Sequence, residues 1–283
     1  MTSKNVEKKV VLNNQFETRM QLENFLKEYK VIDKQAYITH TAFGPPYGKF
    51  NIPDHKMDDF FTLYCNAMQR GCDLHMVERP KKNGPLLIDI DFNFDFEHKE
   101  RLYREDDIKY VIGCANGIIR KYYKLGDDTI YSFVFEKDKP SLRENKEHDV
   151  KEWKDGFHIV YPFISISEGM RYLIIHSIKK KVNESGGFRH IPYINSIDDV
   201  FDMSVIKANG WMMYGSRKDN GPWYILRKIY DCVYDEIDIK DYKHRDLVKI
   251  LSNRKYNDDD ETEFRDEINV NILESQVDDV IVE

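Results

Sequence analysis

Leu86-Leu87-Ile88-Asp89-Ile90-Asp91-Phe92 is an apolar run with two aspartates one residue apart. In a β-strand, successive side chains point to opposite faces, so Asp89 and Asp91 project together while the apolar side chains cover the other face. Two adjacent carboxylates repel each other and lose hydration, and a divalent cation between them offsets both penalties. Hard oxygen ligands favour Mg²⁺ or Mn²⁺. The run therefore predicts a strand with a metal site of the kind that handles nucleotides, the alternative being an exposed strand end with solvated acids.

The composition is typical of a globular protein with a heavily charged surface. The chain has 283 residues, of which 41% are hydrophobic and 33% charged. This length is sufficient for one large domain or two small ones. No apolar run approaches the ~20 residues that a membrane span needs, and the first residues lack the apolar core of a signal peptide. We therefore expect an intracellular protein without membrane contact.

The four cysteines do not form a recognisable framework. Cys65, Cys72, Cys114 and Cys232 are few and widely spaced, which favours reduced thiols over disulfides. A zinc site formed by Cys65, Cys72 and His75 is the alternative, although the paired short spacing of such sites is missing.

The charge is unevenly distributed along the chain. The net charge is −7, but residues 257–283 contain eleven acidic residues and one arginine, so residues 1–256 have a net charge of +3. The acidic end has little hydrophobic periodicity, and we expect a tail or linker without regular structure.

Hydrophobic periodicity predicts a mixed α+β protein. The expected elements are helices 15–29 and 57–69 with a loop at 43–48 between them, then strand 85–92, helix 106–124, strands 129–136 and 155–163, helix 168–183 and strands 210–215 and 222–230. From residue 85 to 215 the order is βαββαβ, the split ferredoxin-like (RRM-like) arrangement on which many polymerase-type sites are built.

A second motif lies in the predicted strand 155–163. Alternation places four apolar side chains on one face, Phe157, Ile159, Tyr161 and Phe163, and His158 on the other. Gly156 allows a ligand to approach the backbone, and an imidazole suits a phosphate. The alternative is a structural histidine.

A third motif follows at residues 201–218. Asp202 is a possible third carboxylate, with a turn or helix cap as the alternative. Arg217 and Lys218 come directly after a Gly-Ser turn.

In this order and spacing, the three motifs resemble the archaeo-eukaryotic primase (AEP) superfamily. The closest resemblance is to the primase domain at the N-terminus of primase-helicases of nucleocytoplasmic large DNA viruses, the giant viruses. The matching segments are Leu87–Asp91, Gly156–His158 with Tyr161-Pro162, and Asp202 followed by Met213–Lys218. The resemblance extends over about residues 60–230, and the combination is far more specific than any single motif.

The resemblance implies the AEP primase fold and a two-metal nucleotidyltransferase, a DNA primase or primase-polymerase that copies single-stranded DNA from nucleoside triphosphates. Asp89, Asp91 and Asp202 would then hold two Mg²⁺ or Mn²⁺ ions. Gly156, His158, Ser216, Arg217 and Lys218 would form the nucleotide site. Many members of the superfamily have a serine where this chain has Gly156, so a hydroxyl contact to phosphate is not available there. The zinc-binding stem of some relatives is not evident either.

The resemblance also implies a domain organisation: an N-terminal helical and αβ part (1–83), the catalytic core (84–256) and an acidic tail or linker (257–283). The linker would lead to a C-terminal helicase domain of the same polypeptide. Other partners would be replication proteins at a viral replication site in the host cytoplasm or nucleus. Two rival functions remain: a metal-dependent glycosyltransferase that uses Asp-x-Asp, and a non-catalytic module that binds single-stranded DNA.

Overall fold

The structure is a computed structural model that describes residues 3–33, 35–145, 150–207, 209–218 and 221–282. The helices within these ranges are α1 (Ser3–Glu28), α2 (Met57–Gln69), α3 (Glu105–Tyr122), α4 (Glu168–Ser185), α5 (Ile197–Val200), α6 (His244–Ile250) and α7 (Val270–Val282). The strands are β1 (His40–Ala42), β2 (Gly48–Phe50), β3 (Met76–Glu78), β4 (Asn83–Phe94), β5 (Ser132–Lys137), β6 (Ser141–Asn145), β7 (Val150–Ser167), β8 (Trp211–Met212) and β9 (Tyr224–Tyr230). The described part of the chain contains no helix long and apolar enough to cross a membrane.

The chain folds into two compact units, neither of which is continuous in sequence. The first unit comprises Met1–Arg79, Gly210–Gly221 and Tyr242–Ser252. The second comprises Pro80–Asn209, Pro222–Asp241 and Asn253–Glu283. The division into functional domains at residues 83/84 and 256/257 remains a prediction.

The first unit is built on an antiparallel sheet in the order β2-β1-β3-β8, and its helices are α1, α2 and α6. Its core is aromatic and aliphatic, with Leu26, Phe50, Ile52, Phe60 and Tyr64 at most 1% exposed. The predicted helix 57–69 is confirmed, and α1 extends the predicted helix 15–29 towards the N-terminus.

The predicted strand 210–215 is wrong in length and in place. Only Trp211 and Met212 are extended, and they pair with Val77 and Glu78 of β3 in the first unit. The strand cannot continue because Gly215 has a left-handed φ of 77°, which turns the chain. The apolar run resembles a strand, but periodicity does not specify which sheet a strand joins.

The second unit is built on an antiparallel sheet in the order β4-β7-β5-β9, with β6 paired to β7. Helices α3 and α4 bury their apolar side chains, including Ile112, Ile119 and Ile174, against one face of this sheet. Ile88 and Ile90 of β4 point into this core and are fully buried. The opposite face of β4 is therefore left for Asp89 and Asp91.

At the free edge of β4, a short contact takes the place of the last strand of the predicted βαββαβ order. There the described residues make one antiparallel bridge, between Ile90 and Phe201. Pairing stops because Asp202 caps the short 3₁₀ helix Met203–Ile206. The fourth strand of the sheet is instead β9, which pairs with β5 at the opposite edge.

Strand β7 departs from strict alternation. Its pairing with β4 slips, since Gly84 faces Ile166 while Leu86 faces Tyr161. A bulge of this kind reverses the faces of the residues beyond it. The expectation that Phe163 shares a face with Phe157 is therefore wrong, and Phe163 packs against Tyr131 and Phe133.

The acidic end is folded, contrary to the expectation that regular structure stops after residue 256. Thr262 N donates a hydrogen bond to Ser165 O (2.8 Å), and the rings of Tyr123 and Phe264 stack with centroids 4.8 Å apart. Helix α7 packs on α4 and buries Leu273. A few well-spaced apolar residues are sufficient for this docking, because the acids between them remain in solvent.

Candidate active site

Asp89 and Asp91 lie on the face of β4 that α3 and α4 do not cover. Directly opposite them on β7 are His158 and Gly156, respectively. Both carboxylates are largely buried, with 11% and 13% of the side chain exposed. They are buried because they lie in the middle of the long strand β4, where the backbone on either side restricts the access of water.

The free edge of β4 brings Asp202 to the same place. Asp202 N donates a hydrogen bond to Asp89 O (3.1 Å), next to the bridge between Ile90 and Phe201. One carboxylate oxygen, Asp202 Oδ1, accepts from Ser204 N (2.9 Å) and from Ser204 Oγ (2.5 Å). Asp202 is thus a cap, as the alternative interpretation proposed, and also part of the acidic cluster.

The three acids form a set that fits a divalent cation. Asp89, Asp91 and Asp202 each offer an oxygen within 4.8 Å of the others. Asp89 Oδ1 and Asp91 Oδ1 are buried and accept no hydrogen bond. A buried carboxylate oxygen without a donor is costly, and a bound cation with oxygen ligands relieves that cost. The donor set therefore suits Mg²⁺ or Mn²⁺.

Two cationic or polar groups of β7 contact the acids. Lys154 Nζ lies 2.6 Å from Asp91 Oδ2. His158 Nε2 lies 3.2 Å from Asp89 Oδ1, a contact too poorly aligned to satisfy that oxygen with a hydrogen bond. Lys154, Gly156 and His158 share one face of β7 because they are spaced by two residues.

A second lysine lies on the same face of the sheet, on the neighbouring strand β5. Lys137 on β5 is 3% exposed, and burial lowers its pKa to about 8, while the nearby carboxylate of Asp91 acts in the opposite direction. Its ammonium lies 5.2 Å from the ring centroid of Tyr224. The acids are therefore surrounded by positive charge even without a metal ion.

Tyr224 of β9 holds the ring of His158. The two rings stack with centroids 3.7 Å apart and an interplanar angle of 16°. Burial raises the pKa of Tyr224 well above its usual range, and Asp91 and Asp89 add to this shift. The phenol thus remains protonated, and its effect on His158 is to fix the orientation of the imidazole.

Gly156 is required by the approach of the two strands. A Cβ at this position would lie 1.9 Å from Ile90 O, so no side chain fits there without movement of β4. Tyr103 OH donates a hydrogen bond to Gly156 O (2.9 Å). Next to it, the buried Asp155 accepts from Arg101 Nε (2.9 Å), which anchors this part of β7.

The other three residues predicted to bind the nucleotide, Ser216, Arg217 and Lys218, belong to the first unit. Ser216 is 3% exposed, and its Oγ is hydrogen-bonded with Tyr64 OH (2.7 Å) and accepts from Met76 N (3.0 Å). Arg217 makes a bidentate ion pair with Asp73, with Nε 2.9 Å from Oδ1 and Nη2 2.5 Å from Oδ2. Lys218 is exposed.

Three residues of the site, Lys137, Lys154 and Tyr224, were not predicted from the sequence. Lys154 carried a usable signal, because it precedes Gly156 and His158 by two and four residues on the same strand. Lys137 and Tyr224 carried none, since their place depends on the pairing of β5 with β7 and β9.

The alternative zinc site is not formed. Within the described residues, Asp89, Asp91 and Asp202 form the one group of potential ligands close enough for a metal. The four cysteines are unpaired thiols. Cys72 Sγ contacts Gln15 O at 3.6 Å.

Comparison with known sequences identifies the family. The family described as C962R protein N-terminal AEP domain matches residues 39–230 of this chain. This range includes all three aspartates and the whole of β7.

Three relatives are viral proteins. "Putative helicase L207/L206" of Acanthamoeba polyphaga mimivirus is 36% identical over 218 residues, which are 75% of this chain and 22% of that protein. "Putative helicase 184R" of Invertebrate iridescent virus 6 is 27% identical over 218 residues, 71% of this chain and 22% of that protein. "Putative helicase 121R" of Invertebrate iridescent virus 3 is 26% identical over 220 residues, which are 71% of this chain and 22% of that protein. The chain thus spans about a fifth of the length of these relatives.

Proposed function

Because the chain belongs to the family of C962R protein N-terminal AEP domains, we propose that it is a DNA primase or primase-polymerase. The reaction is the template-directed transfer of nucleotides from nucleoside triphosphates on single-stranded DNA. The observation that carries the proposal is the cluster of Asp89, Asp91 and Asp202, in which two buried carboxylate oxygens lack a hydrogen-bond donor. Buried carboxylate oxygens without a donor indicate a cation site more strongly than exposed acids do, because their burial is costly unless a ligand binds.

The three aspartates would hold two Mg²⁺ or Mn²⁺ ions. Ions bound there would lower the pKa of the attacking 3′-hydroxyl and neutralise the charge on the reacting phosphate. The chain contributes the geometry: β4 presents Asp89 and Asp91 on one face, and the edge bridge at Phe201 adds Asp202.

The β7 residues are suited to the incoming triphosphate. Lys154 pairs with Asp91 at 2.6 Å, and a cation bound to Asp91 would release its ammonium for a phosphate oxygen. His158, which Tyr224 holds in place, adds a second donor at the opposite end of the aspartate pair. Gly156 leaves the backbone between them uncovered by a side chain.

Residues of the first unit complete the proposal as the family resemblance implies. Arg217 and Lys218 would neutralise phosphate charge as pyrophosphate leaves. The hydroxyl of Ser216 already makes two internal hydrogen bonds, and we therefore assign Ser216 to the structure of the turn.

The partners follow from the relatives. Their names designate helicases, and this chain matches about a fifth of each. We propose that the domain acts with a helicase of the same polypeptide and with replication proteins, at a viral replication site inside the host cell.

The test is a synthesis assay. The protein is incubated with single-stranded DNA, labelled nucleoside triphosphates and Mg²⁺ or Mn²⁺, with and without a primer, and the products are sized. We expect short products without a primer and extension with one. A protein that binds single-stranded DNA but incorporates nothing with either metal would be a non-catalytic module. Transfer from sugar nucleotides alone would make it a glycosyltransferase.

A further inference from the structure

Two aromatic side chains are exposed at the tip of the β1–β2 hairpin in the first unit. Phe43 is 49% exposed and Tyr47 is 59% exposed, and they flank the sequence Gly44-Pro45-Pro46. The last residue pair of the hairpin, Ala42 with Gly48, lies directly before and after this loop. Aromatic side chains dominate the energetics of interfaces, so two exposed rings at one loop tip indicate a contact surface.

Loop 43–47 is held firmly in place by its own unit. Phe43 N donates a hydrogen bond to His75 O (2.9 Å), and a Cβ at Gly44 would lie 2.0 Å from His75 Cδ2. The backbone of the loop therefore packs directly on the imidazole of His75. The two prolines each fix φ at a further position. A loop held in this way presents its rings with little loss of conformational entropy on binding.

The same histidine connects the loop with the residues proposed to contact the triphosphate. His75 Nδ1 lies 3.0 Å from Arg217 O, and Arg217 N donates a hydrogen bond to Leu74 O (3.0 Å). Lys218 follows directly in the chain. The template base that is copied pairs with the incoming nucleotide, so the template strand passes close to the residues that hold this nucleotide. With that assignment, loop 43–47 adjoins the path of the template.

Two exposed lysines adjoin the base of the loop. Lys49 lies on β2, two residues after Tyr47. A Cβ at Gly48 would lie 3.1 Å from Lys30 Cε, so the side chain of Lys30 runs alongside the start of β2. The first unit as a whole contains 16 lysines and arginines and 12 acidic residues, whereas the rest of the chain contains 27 and 38. The unit with the exposed rings is thus the one whose charge suits a polyanion.

We propose that Phe43 and Tyr47 bind the single-stranded DNA template by stacking on its unpaired bases. Lys30 and Lys49 contact the adjacent phosphates. Aromatic rings beside cations are the groups with which proteins hold single strands, because every base has a face that can stack. In a duplex these faces are already stacked on each other, so the surface selects single strands. The inference rests on the proposed function and adds a template-binding surface to it.

The experiment measures the Kd of a labelled oligothymidine by fluorescence anisotropy, without nucleotides or metal ions. Phe43→Ala and Tyr47→Ala should each raise this Kd about tenfold, since the loss of one base–aromatic stack weakens binding to this extent. Phe43→Tyr and Tyr47→Phe keep the rings and should stay within about twofold of the wild type. Phe16→Ala removes an aromatic ring of α1 that is 64% exposed and should leave the Kd unchanged.

Two further measurements identify the kind of contact that is lost. The Kd of a fully paired duplex should change less than about twofold in the alanine variants. Lys30→Met and Lys49→Met should each reduce the slope of log Kd against log salt concentration by about 0.7, the value for one phosphate of a single strand. Lys56→Met is the control, because Lys56 Nζ is already paired with Asp59 Oδ2 at 3.1 Å, and it should keep the wild-type slope.

A tryptophan at the loop gives a direct signal of stacking. The indole of Tyr47→Trp should lose fluorescence when oligothymidine binds, whereas that of Phe16→Trp should not. This signal depends on the contact of the ring with a base and not on the stability of the alanine variants.

Three results would overturn the inference: an unchanged Kd in both alanine variants, an equal loss of affinity for duplex DNA, or unquenched Tyr47→Trp at saturating oligothymidine. A raised KM for the incoming nucleotide with an unchanged Kd for DNA would contradict it as well, since the rings would then hold the nucleotide. Binding needs no chemistry, so a wild type that binds DNA through these rings but forms no product refutes the proposed function alone. Wild-type binding by both alanine variants of a protein that synthesises primers refutes this inference alone.

Discussion

The face of β4 in the second unit and the turn Gly215–Lys218 in the first unit carry polar motifs of similar appearance in the sequence. Their hydrogen bonds differ completely. On β4, Asp89 Oδ1 and Asp91 Oδ1 are buried without a donor. In the turn, Ser216 Oγ is hydrogen-bonded to two groups of its own unit, and Arg217 is paired with Asp73.

The difference separates the aspartates, which suit a ligand, from Ser216, which serves the structure of its turn. Stable folds satisfy nearly all buried polar groups, so those left over mark places where an external ligand completes the bonding. By this criterion the aspartates are a candidate cation site, whereas the hydroxyl of Ser216 is already hydrogen-bonded within the fold. The following predictions test this contrast.

The largest effect is expected from the unsatisfied acids. Asp89→Asn and Asp91→Asn keep the shape of the side chain but lose the charge that holds the cation. Nucleotide transfer should fall a thousandfold or more, which corresponds to about 4 kcal/mol of barrier. Single-turnover primer extension in Mg²⁺ measures it, with denaturant unfolding to show that the fold is retained.

The exposed Asp95, which follows β4 directly, provides the control. Asp95→Asn should extend primers at the wild-type rate. Synthesis at a near-wild-type rate by Asp89→Asn or Asp91→Asn would show that the unsatisfied aspartates are not the cation site.

The next effect concerns the charge that surrounds the acids. The pKa of Lys137 is about 8 in the folded protein and 10.5 as the ordinary value, so between these pH values the unfolded chain binds the additional proton. Stability contributed by this group therefore rises from pH 8 to 10.5, by at most about 3 kcal/mol. Lys137→Met should lack this rise, as urea unfolding in EDTA at pH 7 to 10 would reveal. The exposed Lys99→Met is the control, and identical pH profiles for Lys137→Met and wild type would mean that Lys137 is not desolvated.

A smaller effect is expected from the satisfied turn. Ser216→Ala leaves Met76 N without its acceptor and should lower the free energy of unfolding by about 2 kcal/mol. The KM for nucleotides should remain that of the wild type. Exposed Ser275→Ala should change stability by less than about 0.5 kcal/mol. A raised KM without a loss of stability would instead place Ser216 at the nucleotide.

The smallest effect concerns the orientation of His158. Tyr224→Ala removes the stacked ring and should lower kcat/KM for the incoming nucleotide about tenfold, mainly through KM. Tyr224→Phe preserves the stack and should stay within about twofold of the wild type. Equal losses in both variants would show that the hydroxyl, and not the ring, matters.

The sequence was sufficient to predict elements whose hydrophobic pattern is local. The alternation in Leu86–Phe92 identified β4 and the shared face of Asp89 and Asp91, and helical periodicity located α2 and α4 closely. It was insufficient beyond residue 256, where Phe264 and Leu273 are too widely spaced to give a pattern and become visible only through their contacts with the core. It also misassigned Phe163, because a bulge in β7 depends on the pairing with β4.

The sequence by itself determined that two carboxylates one residue apart lie on a strand with an apolar back, since the period of a strand is fixed by backbone geometry. The motif order also pointed to the AEP family, which the match over residues 39–230 established. Only the tertiary structure decided that Asp202 joins them through a single bridge at the edge of β4, and that Lys154, Lys137 and Tyr224 surround them. The physical reason is that strand order and edge contacts are set by long-range packing, which no local pattern encodes.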